Sequence, residues 1–435
     1  MIRLIQGAGI TVLTSLFYFP FVTSLLPQAN TKMVMAAVGL LLMLVAGAFN
    51  GLERLRNDKL SIGVYAVAVS FVSYVSVVIN NVPDYTFVTY FVSMLVWLCG
   101  AYTVIKAIDV VYGKATYRIL ANFLIIVCVC QCILSQIIDN NQAVADFVDR
   151  FMISTGFMGK AEGRIYGIGC ALDVAGLKFS AVLIMIASLL FTLRGKNKKR
   201  MLFVYLSSFF VITLLGSMIA RTTSIGALVA LAYMVGYSFY KKHKESVTDE
   251  EMENIGLIWK YAGWGLLFIV PICIAGYYTN GIFRKNIEFA FEGFFSLVQT
   301  GEWKVRSNQQ LESMVIWPDN LKTWLIGDGY FNSPSADAYY TGKFYEGYYM
   351  GTDVGYCRYI FYFGLIGLAT ISTFFINAAK VCVSNNRTYA FAFWMVLLMN
   401  FIGWYKVSSD LFPFFALFLM LGQGTEEKNT FLSAS

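Results

Sequence analysis

Residues 201–240 read MLFVYLSSFFVITLLGSMIARTTSIGALVALAYMVGYSFY, an apolar run interrupted near its middle by Arg221. As a single helix this run would be about 60 Å long, twice the thickness of the hydrocarbon core of a bilayer. The run is therefore predicted to fold as a hairpin of two membrane spans, 201–219 and 223–240. Gly216 and Arg221 place its turn.

The composition of the whole chain extends this interpretation. Of its 435 residues, 58% are apolar and 14% are charged, whereas soluble globular proteins carry roughly 25% charged residues. Long apolar runs recur from one end to the other, which is typical of a polytopic membrane protein. This composition excludes a soluble enzyme, a disordered chain and a disulfide-rich secreted module. The charged residues are distributed unequally between the two predicted sides of the membrane. The net charge of +7 therefore does not indicate a nucleic-acid partner.

Twelve stretches are candidate transmembrane helices. They lie at 4–26, 33–49, 60–79, 86–108, 117–138, 174–193, 201–219, 223–240, 261–279, 353–377, 388–403 and 410–423. We therefore predict an all-α polytopic membrane protein with about twelve transmembrane helices, in which residues 1–435 form a single integral membrane domain. The first stretch is too long for the core of a signal peptide and lacks a small-residue cleavage site, so we expect it to be a retained span.

The distribution of lysine and arginine predicts the orientation. With the N-terminus in the cytoplasm, the inner side carries 19 of the 33 lysines and arginines, including a basic run at 194–200. By the positive-inside rule both termini are then cytoplasmic. Two long loops, 139–173 and 280–352, lie on the outer side.

Ionisable residues at the mouths of the predicted spans gather on this outer side. They are Asp173, Lys178, Arg221, Asp353 and Arg358. Such residues are costly in a membrane and by default suggest function. The alternative for each is a snorkelling anchor or a structural ion pair, and an Asp353–Arg358 pair one to two turns apart fits that alternative.

The outer loop 280–352 is rich in aromatic residues. Nine lie between positions 324 and 349, namely Trp324, Tyr330, Phe331, Tyr339, Tyr340, Phe344, Tyr345, Tyr348 and Tyr349. Rings with an apolar face and a polar tip suit a sugar ligand or a membrane interface, and both interpretations stay open. Loops of this length are usually functional or disordered, and the aromatic content argues against disorder. Gly327-Asp328-Gly329 predicts a tight turn.

Arginine on the outer side suggests an anionic partner, because the guanidinium group binds phosphate or carboxylate through paired hydrogen bonds. Arg164, Arg221, Arg306 and Arg358 are available there. The single histidine, His243, lies on the predicted cytoplasmic side. Histidine-based catalysis on the outer side and a multi-histidine zinc site are therefore excluded.

The eight cysteines give no metal-binding motif. Cys128, Cys130 and Cys132 do not share one helix face, and no CxxC pair occurs, so we expect no metal site. Cys170 and Cys357 both lie near the predicted outer surface, where a disulfide between them is an open alternative.

Several motifs resemble those of bacterial O-antigen polymerases and the related O-antigen ligases. In the outer loop and the next span they are Leu311-Glu312-Ser313-Met314, Trp317-Pro318, the run from Thr323 to Phe331, Thr352-Asp353-Val354-Gly355-Tyr356, Arg358 and Phe363-Gly364-Leu365-Ile366-Gly367. Earlier in the chain they are Arg221-Thr222-Thr223-Ser224-Ile225-Gly226 and the stretch from Arg164 to Gly176, with Gly167, Gly169 and Asp173.

The resemblance implies a membrane glycosyltransferase at the periplasmic face of the bacterial inner membrane. Its donor and acceptor would be undecaprenyl-diphosphate-linked oligosaccharides, and the growing glycan would pass as a block to a hydroxyl group of the next repeat unit, making O-antigen or capsule. It implies no metal or cofactor, and a chain-length regulator protein as a partner beside the membrane lipids. The ligase branch usually has a histidine at the junction where this chain has Asp353, so the polymerase is favoured.

On this interpretation Arg221 and Arg306 bind the diphosphate leaving group and stabilise its charge, while Asp353 or Asp173 acts as general base on the acceptor hydroxyl. The expected substrate-binding residues are Arg164, Lys178, Trp324, Asp328, Tyr356 and Arg358. Two alternatives stay open: a ligase-type glycan transferase, and a transporter or flippase of the polysaccharide precursor. Transporters tend to show repeated halves and broken helices, and the sequence indicates neither.

Overall fold

The structure, a computed structural model, describes residues 2–50, 57–153, 165–243, 249–345 and 347–421. The helices are α1 (Ile2–Tyr18), α2 (Thr31–Asn50), α3 (Asn57–Asn80), α4 (Tyr90–Tyr112), α5 (Tyr117–Asn140), α6 (Gln142–Phe151), α7 (Leu172–Leu190), α8 (Lys198–Ile219), α9 (Thr222–Lys242), α10 (Asp249–Thr279), α11 (Gly281–Ala290), α12 (Glu292–Thr300), α13 (Arg306–Ser313), α14 (Leu321–Ile326), α15 (Gly355–Asn385), α16 (Ala390–Trp404) and α17 (Phe412–Leu421). The short strands β1 (Val22–Thr23), β2 (Leu26–Asn30) and β3 (Met152–Ile153) form an antiparallel sheet in the order β2-β1-β3.

Eight of the described helices are long and apolar enough to cross a membrane, namely α3, α4, α5, α7, α8, α9, α10 and α15. The other four predicted spans coincide with α1, α2, α16 and α17. The prediction of an all-α membrane protein is confirmed at this level. The number of twelve spans and the placement of both termini in the cytoplasm stay predictions.

Hydrogen bonds join segments that are predicted to share a side of the membrane. At one end of the bundle, Asp84 in the α3–α4 connection binds the backbone of residues 331–332. At the other end, Arg118 in the first turn of α5 donates to the carbonyl of Thr192, beyond the end of α7. We call the first end the loop face, because residues 280–352 lie there.

The hairpin predicted for residues 201–240 is present, with Ala220 and Arg221 between α8 and α9. Thr223 closes the turn in two ways. Its backbone N–H donates to the carbonyl of Ala220 at 2.9 Å, and its hydroxyl donates to the carbonyl of Gly216 at 3.1 Å. The interpretation of this run from its length alone is confirmed.

The first predicted span, 4–26, is only partly helical. α1 ends at Tyr18, because Pro20 has no backbone N–H to donate and its ring disfavours the helical conformation of the residue before it. The chain continues into β1, which pairs with β2 and β3. Tyr18 and Phe19 are thereby placed at the loop face.

α7 is the central helix of the bundle, and every residue from Ala175 to Leu190 is buried. Small residues let its neighbours approach closely, as in many membrane bundles. A Cβ added to Gly226 of α9 would lie 2.1 Å from the hydroxyl oxygen of Ser180. The first turns of α7 are therefore fixed in the middle of the loop face.

α15 is interrupted at Gly364, whose φ of +67° lies outside the helical region. The interruption leaves the carbonyls of Phe361 and Tyr362 without helical partners. The backbone N–H groups of Asp328 and Gly329 donate to these carbonyls at 2.6 and 3.1 Å. The sequence indicated no broken helix, and the structure contains one, because a distant loop supplies the hydrogen bonds that the interruption removes.

α10 is the least embedded of the long helices. Only 6% of its apolar stretch is buried inside the protein, against 83% for α7. Large apolar side chains such as Trp264, Leu267, Phe268 and Ile272 are exposed along it, and it contains Pro271. In a bilayer such a surface faces lipid.

Candidate functional site

Two groups of polar side chains meet at the loop face. The central cluster consists of Lys32, Asp173, Lys178, Asp353, Arg358, Lys406, Ser408 and Asp410. The Arg221 cluster consists of Arg221, Phe289, Glu292 and Ser307. The two adjoin, because Thr222, the residue after Arg221, donates a hydrogen bond to the carboxylate of Asp173.

Lys178 lies near the start of α7 and is only 5% exposed. Its ammonium nitrogen lies 5.7 Å from the ring centre of Tyr18 and 5.2 Å from that of Phe19. Within the described residues this ammonium group forms no hydrogen bond or ion pair. The arrangement is that of a buried cation held by aromatic rings, which differs from a lysine that snorkels to the surface.

Asp173, in the first turn of α7, is held by two donors. Lys406 Nζ lies 2.8 Å from its Oδ1, and the hydroxyl of Thr222 donates to the same oxygen. Both side chains of the ion pair are largely buried. Asp173 would have to leave both donors to accept a proton at this oxygen, so the contacts favour a structural ion pair.

Arg358 lies near the start of α15 and is also 5% exposed. Its guanidinium carbon lies 3.8 Å from the ring centre of Phe331 and 3.2 Å from that of Tyr348. Nη1 donates to the hydroxyl of Ser408 at 2.5 Å, while Nε has no hydrogen-bond partner among the described residues. Since both rings belong to the loop 280–352, Arg358 fastens that loop to the bundle.

Asp353 lies two residues before α15 and its side chain is exposed. The neighbouring protein removes part of its hydration and thereby raises the pKa of its carboxyl group; the charge of Arg358 opposes this rise and that of Asp173 adds to it. An accessible carboxylate with a raised pKa is a stronger proton acceptor than an ordinary aspartate. Of the two predicted general bases, Asp353 therefore has the more suitable environment.

Arg221 is engaged on three sides. Its Nη2 lies 2.5 Å from Glu292 Oε2, Nε donates to the carbonyl of Phe289 at 2.8 Å, and Nη1 donates to the hydroxyl of Ser307 at 2.7 Å. These contacts dock α11, α12 and α13 onto the turn between α8 and α9. They give Arg221 a role in holding the loop, and its binding of a diphosphate stays a prediction.

Arg306 begins α13 and is exposed. Its backbone N–H donates to Glu292 at 3.4 Å, and its guanidinium group forms no hydrogen bond or ion pair with the described residues. Arg306 is therefore accessible to a ligand above the loop face. Arg164, the remaining predicted arginine, lies outside the described residues.

Three other predicted substrate-binding residues form contacts within the protein. Asp328 accepts a hydrogen bond from the hydroxyl of Thr323 at 2.6 Å. The indole N–H of Trp324 donates to a backbone carbonyl of the same loop at 2.9 Å. The hydroxyl of Tyr356 donates to the carbonyl of Phe401 at 2.8 Å. Each of these bonds fixes the loop or its junction with α15.

The aromatic residues of the loop pack mainly on one another. The ring centre of Tyr330 lies 5.4 Å from that of Tyr340 and 5.2 Å from that of Tyr349. The hydroxyl of Tyr330 donates to Asp337; burial and this bond raise the pKa of Tyr330, and the same bond lowers the pKa of Asp337. Tyr339 is 90% exposed and remains available to a sugar or to the membrane interface.

Sequence reasoning did not assign several residues that the structure places at the loop face, among them Asp84, Lys32 and Asp410. Asp84 accepts hydrogen bonds from the backbone N–H groups of Phe331 and Asn332 at 2.8 and 2.9 Å. Lys32 and Asp410 belong to the central cluster. Both are ionisable residues at the ends of predicted spans, so the criterion that found the other members applied to them as well.

The disulfide left open between Cys170 and Cys357 is absent, since both are free thiols. Cys170 lies in the main core, whereas Cys357 belongs to a separate small cluster with Leu311 and Phe361. Among the described residues, no group of three or more histidine, cysteine, aspartate or glutamate side chains could hold a metal ion.

No protein-family model, curated protein or solved structure matches this chain. The resemblance to O-antigen polymerases therefore rests on the motifs quoted above. Chemically, the loop face combines cations with the accessible carboxylate of Asp353, a combination suited to transferring a group away from an anionic leaving group.

Proposed function

We propose that the protein is a polymerase of lipid-linked oligosaccharide repeat units in a bacterial inner membrane, with its active site at the loop face and facing the periplasm. It transfers the growing glycan from undecaprenyl diphosphate onto a hydroxyl group of the next lipid-linked repeat unit. The product is a surface polysaccharide such as O-antigen or capsule. A chain-length regulator is its expected protein partner.

The observation that carries the proposal is the exposed Asp353, with its raised pKa, beside the cations of the central cluster. Asp353 accepts the proton of the acceptor hydroxyl, and the hydroxyl oxygen forms a bond to the anomeric carbon of the donor sugar. The bond between that carbon and the diphosphate oxygen breaks, and the diphosphate leaves with the electron pair. Cations such as Arg306 and Lys178 stabilise the leaving charge.

The remaining features support this assignment. The apolar surface of α10 offers a lipid-facing path for the undecaprenyl tail. The aromatic loop, with the exposed ring of Tyr339, offers flat surfaces on which sugar rings pack.

The test uses the purified protein in nanodiscs with its lipid-linked repeat unit and a chelator, with products resolved by size. We expect a ladder in which successive products differ by one repeat unit. Asp353→Asn should remove most of the ladder, whereas Asp337→Asn, a matched change at another loop carboxylate, should preserve it. An authentic substrate that yields no product longer than one unit would contradict the proposal.

One observation favours a second candidate, a transporter of the lipid-linked precursor. The interruption of α15 at Gly364 lies six residues after Arg358 of the central cluster, and broken helices with ionisable groups are typical of secondary transporters. In liposomes, movement of the lipid-linked unit between leaflets without any ladder would identify a transporter. Transfer of a glycan to a different acceptor without elongation would identify a ligase-type enzyme.

A further inference from the structure

Two lysines of the central cluster form no ion pair with a counter-ion in the part of the chain that the structure describes. The buried ammonium group of Lys178 lies against the rings of Tyr18 and Phe19. The ammonium nitrogen of Lys32 lies 4.7 Å from the ring centre of Trp97. Among the described residues, neither group forms a hydrogen bond or an ion pair, so the N–H donors of both are available to a ligand.

The other cations of the cluster are differently placed. Lys406 is paired with Asp173 at 2.8 Å. Arg358 lies between two aromatic rings and donates to a serine hydroxyl. An anion that binds Lys406 has to compete with Asp173, and one that binds the guanidinium group of Arg358 has to compete with the serine hydroxyl. An anion that binds Lys32 and Lys178 breaks no hydrogen bond or ion pair among the described residues.

One carboxylate, Asp410, shares the neighbourhood of the two lysines, and the charges of the three groups act on one another. Asp410 forms no ion pair with the described residues and accepts instead a hydrogen bond from the backbone N–H of Phe412 at 3.0 Å. The set of two lysines and one aspartate therefore has an excess of one positive charge and no direct contact among its members. Buried charges without partners are costly, so an anion that completes the set is favoured.

The rings fix the lysines before a ligand arrives. The hydroxyl of Tyr18 donates to the backbone carbonyl of Lys178 at 3.0 Å. Phe19 packs against Phe179, with ring centres 5.6 Å apart, and Trp97 packs edge-on against α1. Because the binding groups are already ordered, little side-chain entropy is lost when a ligand binds.

We propose that Lys32 and Lys178 form an anion seat that binds the diphosphate group of a polyprenyl-diphosphate-linked sugar. This inference rests on the proposed function and moves the binding of the leaving group from Arg221 and Arg306 to two lysines of the bundle. The carboxylate of Asp410 lowers the net positive charge of this site. Inorganic diphosphate carries the same charged group without the lipid, and the test separates the two sources.

The experiment measures binding to the full-length protein in phosphatidylcholine nanodiscs. The probes are undecaprenyl diphosphate, inorganic diphosphate and undecaprenol. We expect Lys178→Met and Lys32→Met each to weaken the binding of undecaprenyl diphosphate by about ten- to hundredfold, the loss typical of one hydrogen bond to a charged group. Lys304→Met is the matched control, because Lys304 is exposed and already paired with Glu302. This variant should bind undecaprenyl diphosphate as tightly as the wild type.

The melting temperature distinguishes a ligand site from a structural cation. Without ligand, Lys178→Met should melt no lower than the wild type, because it removes a buried charge that has no partner. At the same ligand concentration, its melting temperature should rise less than that of the wild type. Lys178→Arg keeps the charge and should retain part of the binding, which keeps the test decisive if the methionine variant folds poorly.

Unchanged affinity in both methionine variants, or an equal loss in Lys304→Met, would overturn the seat. Inorganic diphosphate bound as tightly as the lipid would assign the seat to the free anion and overturn the lipid assignment. A normal ladder from both lysine variants would refute the proposed role of Lys32 and Lys178 in binding. It would not contradict the proposal that the protein is a polymerase. If binding depends on the two lysines but the protein makes no ladder, the polymerase proposal is refuted. The proposal that Lys32 and Lys178 bind the diphosphate group is then retained.

Discussion

Replacing Arg221 by methionine should release α11, α12 and α13 from the turn between α8 and α9. Methionine keeps an apolar side chain against the ring of Phe289, which lies 4.1 Å from the guanidinium carbon, but removes every charged contact. The spans themselves should stay folded, because the three contacts described above, to Phe289, Glu292 and Ser307, are with the segment that Arg221 docks.

The expected loss follows from the individual contacts. The side chains of Arg221 and Glu292 are 15% and 30% exposed, so their ion pair is partly screened and contributes about 1 kcal/mol at most. The hydrogen bonds to Phe289 and Ser307 involve a charged donor and contribute about 1.5 kcal/mol each. Since such contributions are not additive, we expect a loss of about 2–4 kcal/mol in the local free energy of opening.

Hydrogen–deuterium exchange of the protein in nanodiscs, read by mass spectrometry over residues 281–313, measures this quantity. A loss of 2–4 kcal/mol corresponds to exchange that is roughly 30- to 1000-fold faster at about 1.4 kcal/mol per tenfold change. Arg306→Met is the matched control, because the Arg306 guanidinium group is exposed and has no hydrogen bond or ion pair with the described residues. Wild-type exchange rates in Arg221→Met, or equal acceleration in Arg306→Met, would refute the docking role.

Gly364→Ala should lower the melting temperature and the yield of folded protein, because a Cβ there would lie 2.2 Å from the backbone of Leu325 and φ is +67°. The backbone at Gly364, with φ +67° and ψ −170°, is essentially restricted to glycine and costs about 1–3 kcal/mol for a residue with a Cβ. The rate of ladder formation should fall as the pH drops through the raised pKa of Asp353, since a protonated carboxyl group accepts no proton, and Asp353→Asn should remove this acid limb together with most of the rate. Asp84→Ala should expose residues 331–332 to limited proteolysis, because two backbone N–H groups lose a charged acceptor, a loss of about 2–3 kcal/mol.

Each of these three predictions has a control or a result that would contradict it. A Cβ on Gly236 of α9 would meet no atom within 4 Å, so Gly236→Ala should fold normally, and equal damage there would contradict the explanation for Gly364. Asp337 has a lowered pKa, so Asp337→Asn should keep the acid limb. For the Asp84 prediction, a cleavage rate equal to that of the wild type would show that the loop is held elsewhere.

The helical architecture was predictable because run length and bilayer thickness restrict it strongly. An apolar run as long as 201–240 has to turn, and the position of Arg221 shows where. The interruption of α15 was not predictable in the same way. A glycine inside an apolar run indicates no break by itself, and the groups that make the break tolerable, the N–H donors of Asp328 and Gly329, lie far away in the sequence.

The candidate site was predictable in its location but not in its division of roles. Charge at the ends of spans correctly indicated that Lys178, Asp173 and Arg358 lie on one face. Which of them is paired depends on partners brought by other helices, such as Lys406 for Asp173. Among the described residues Lys178 has no hydrogen-bond or ion-pair partner and lies against two aromatic rings, and no local sequence pattern encodes that environment.

The weak embedding of α10 couples the loop face to the membrane itself. Its apolar stretch from Met252 to Thr279 has 28 residues, about 42 Å of helix against a hydrocarbon thickness of about 30 Å. With few protein neighbours to fix it, α10 adjusts to this hydrophobic mismatch by tilting or by bending at Pro271. Because α10 continues almost directly into α11, we expect a change in bilayer thickness to reach the segment that Arg221 holds. Lipid composition should then affect the geometry of the loop face without any change in the amino-acid sequence.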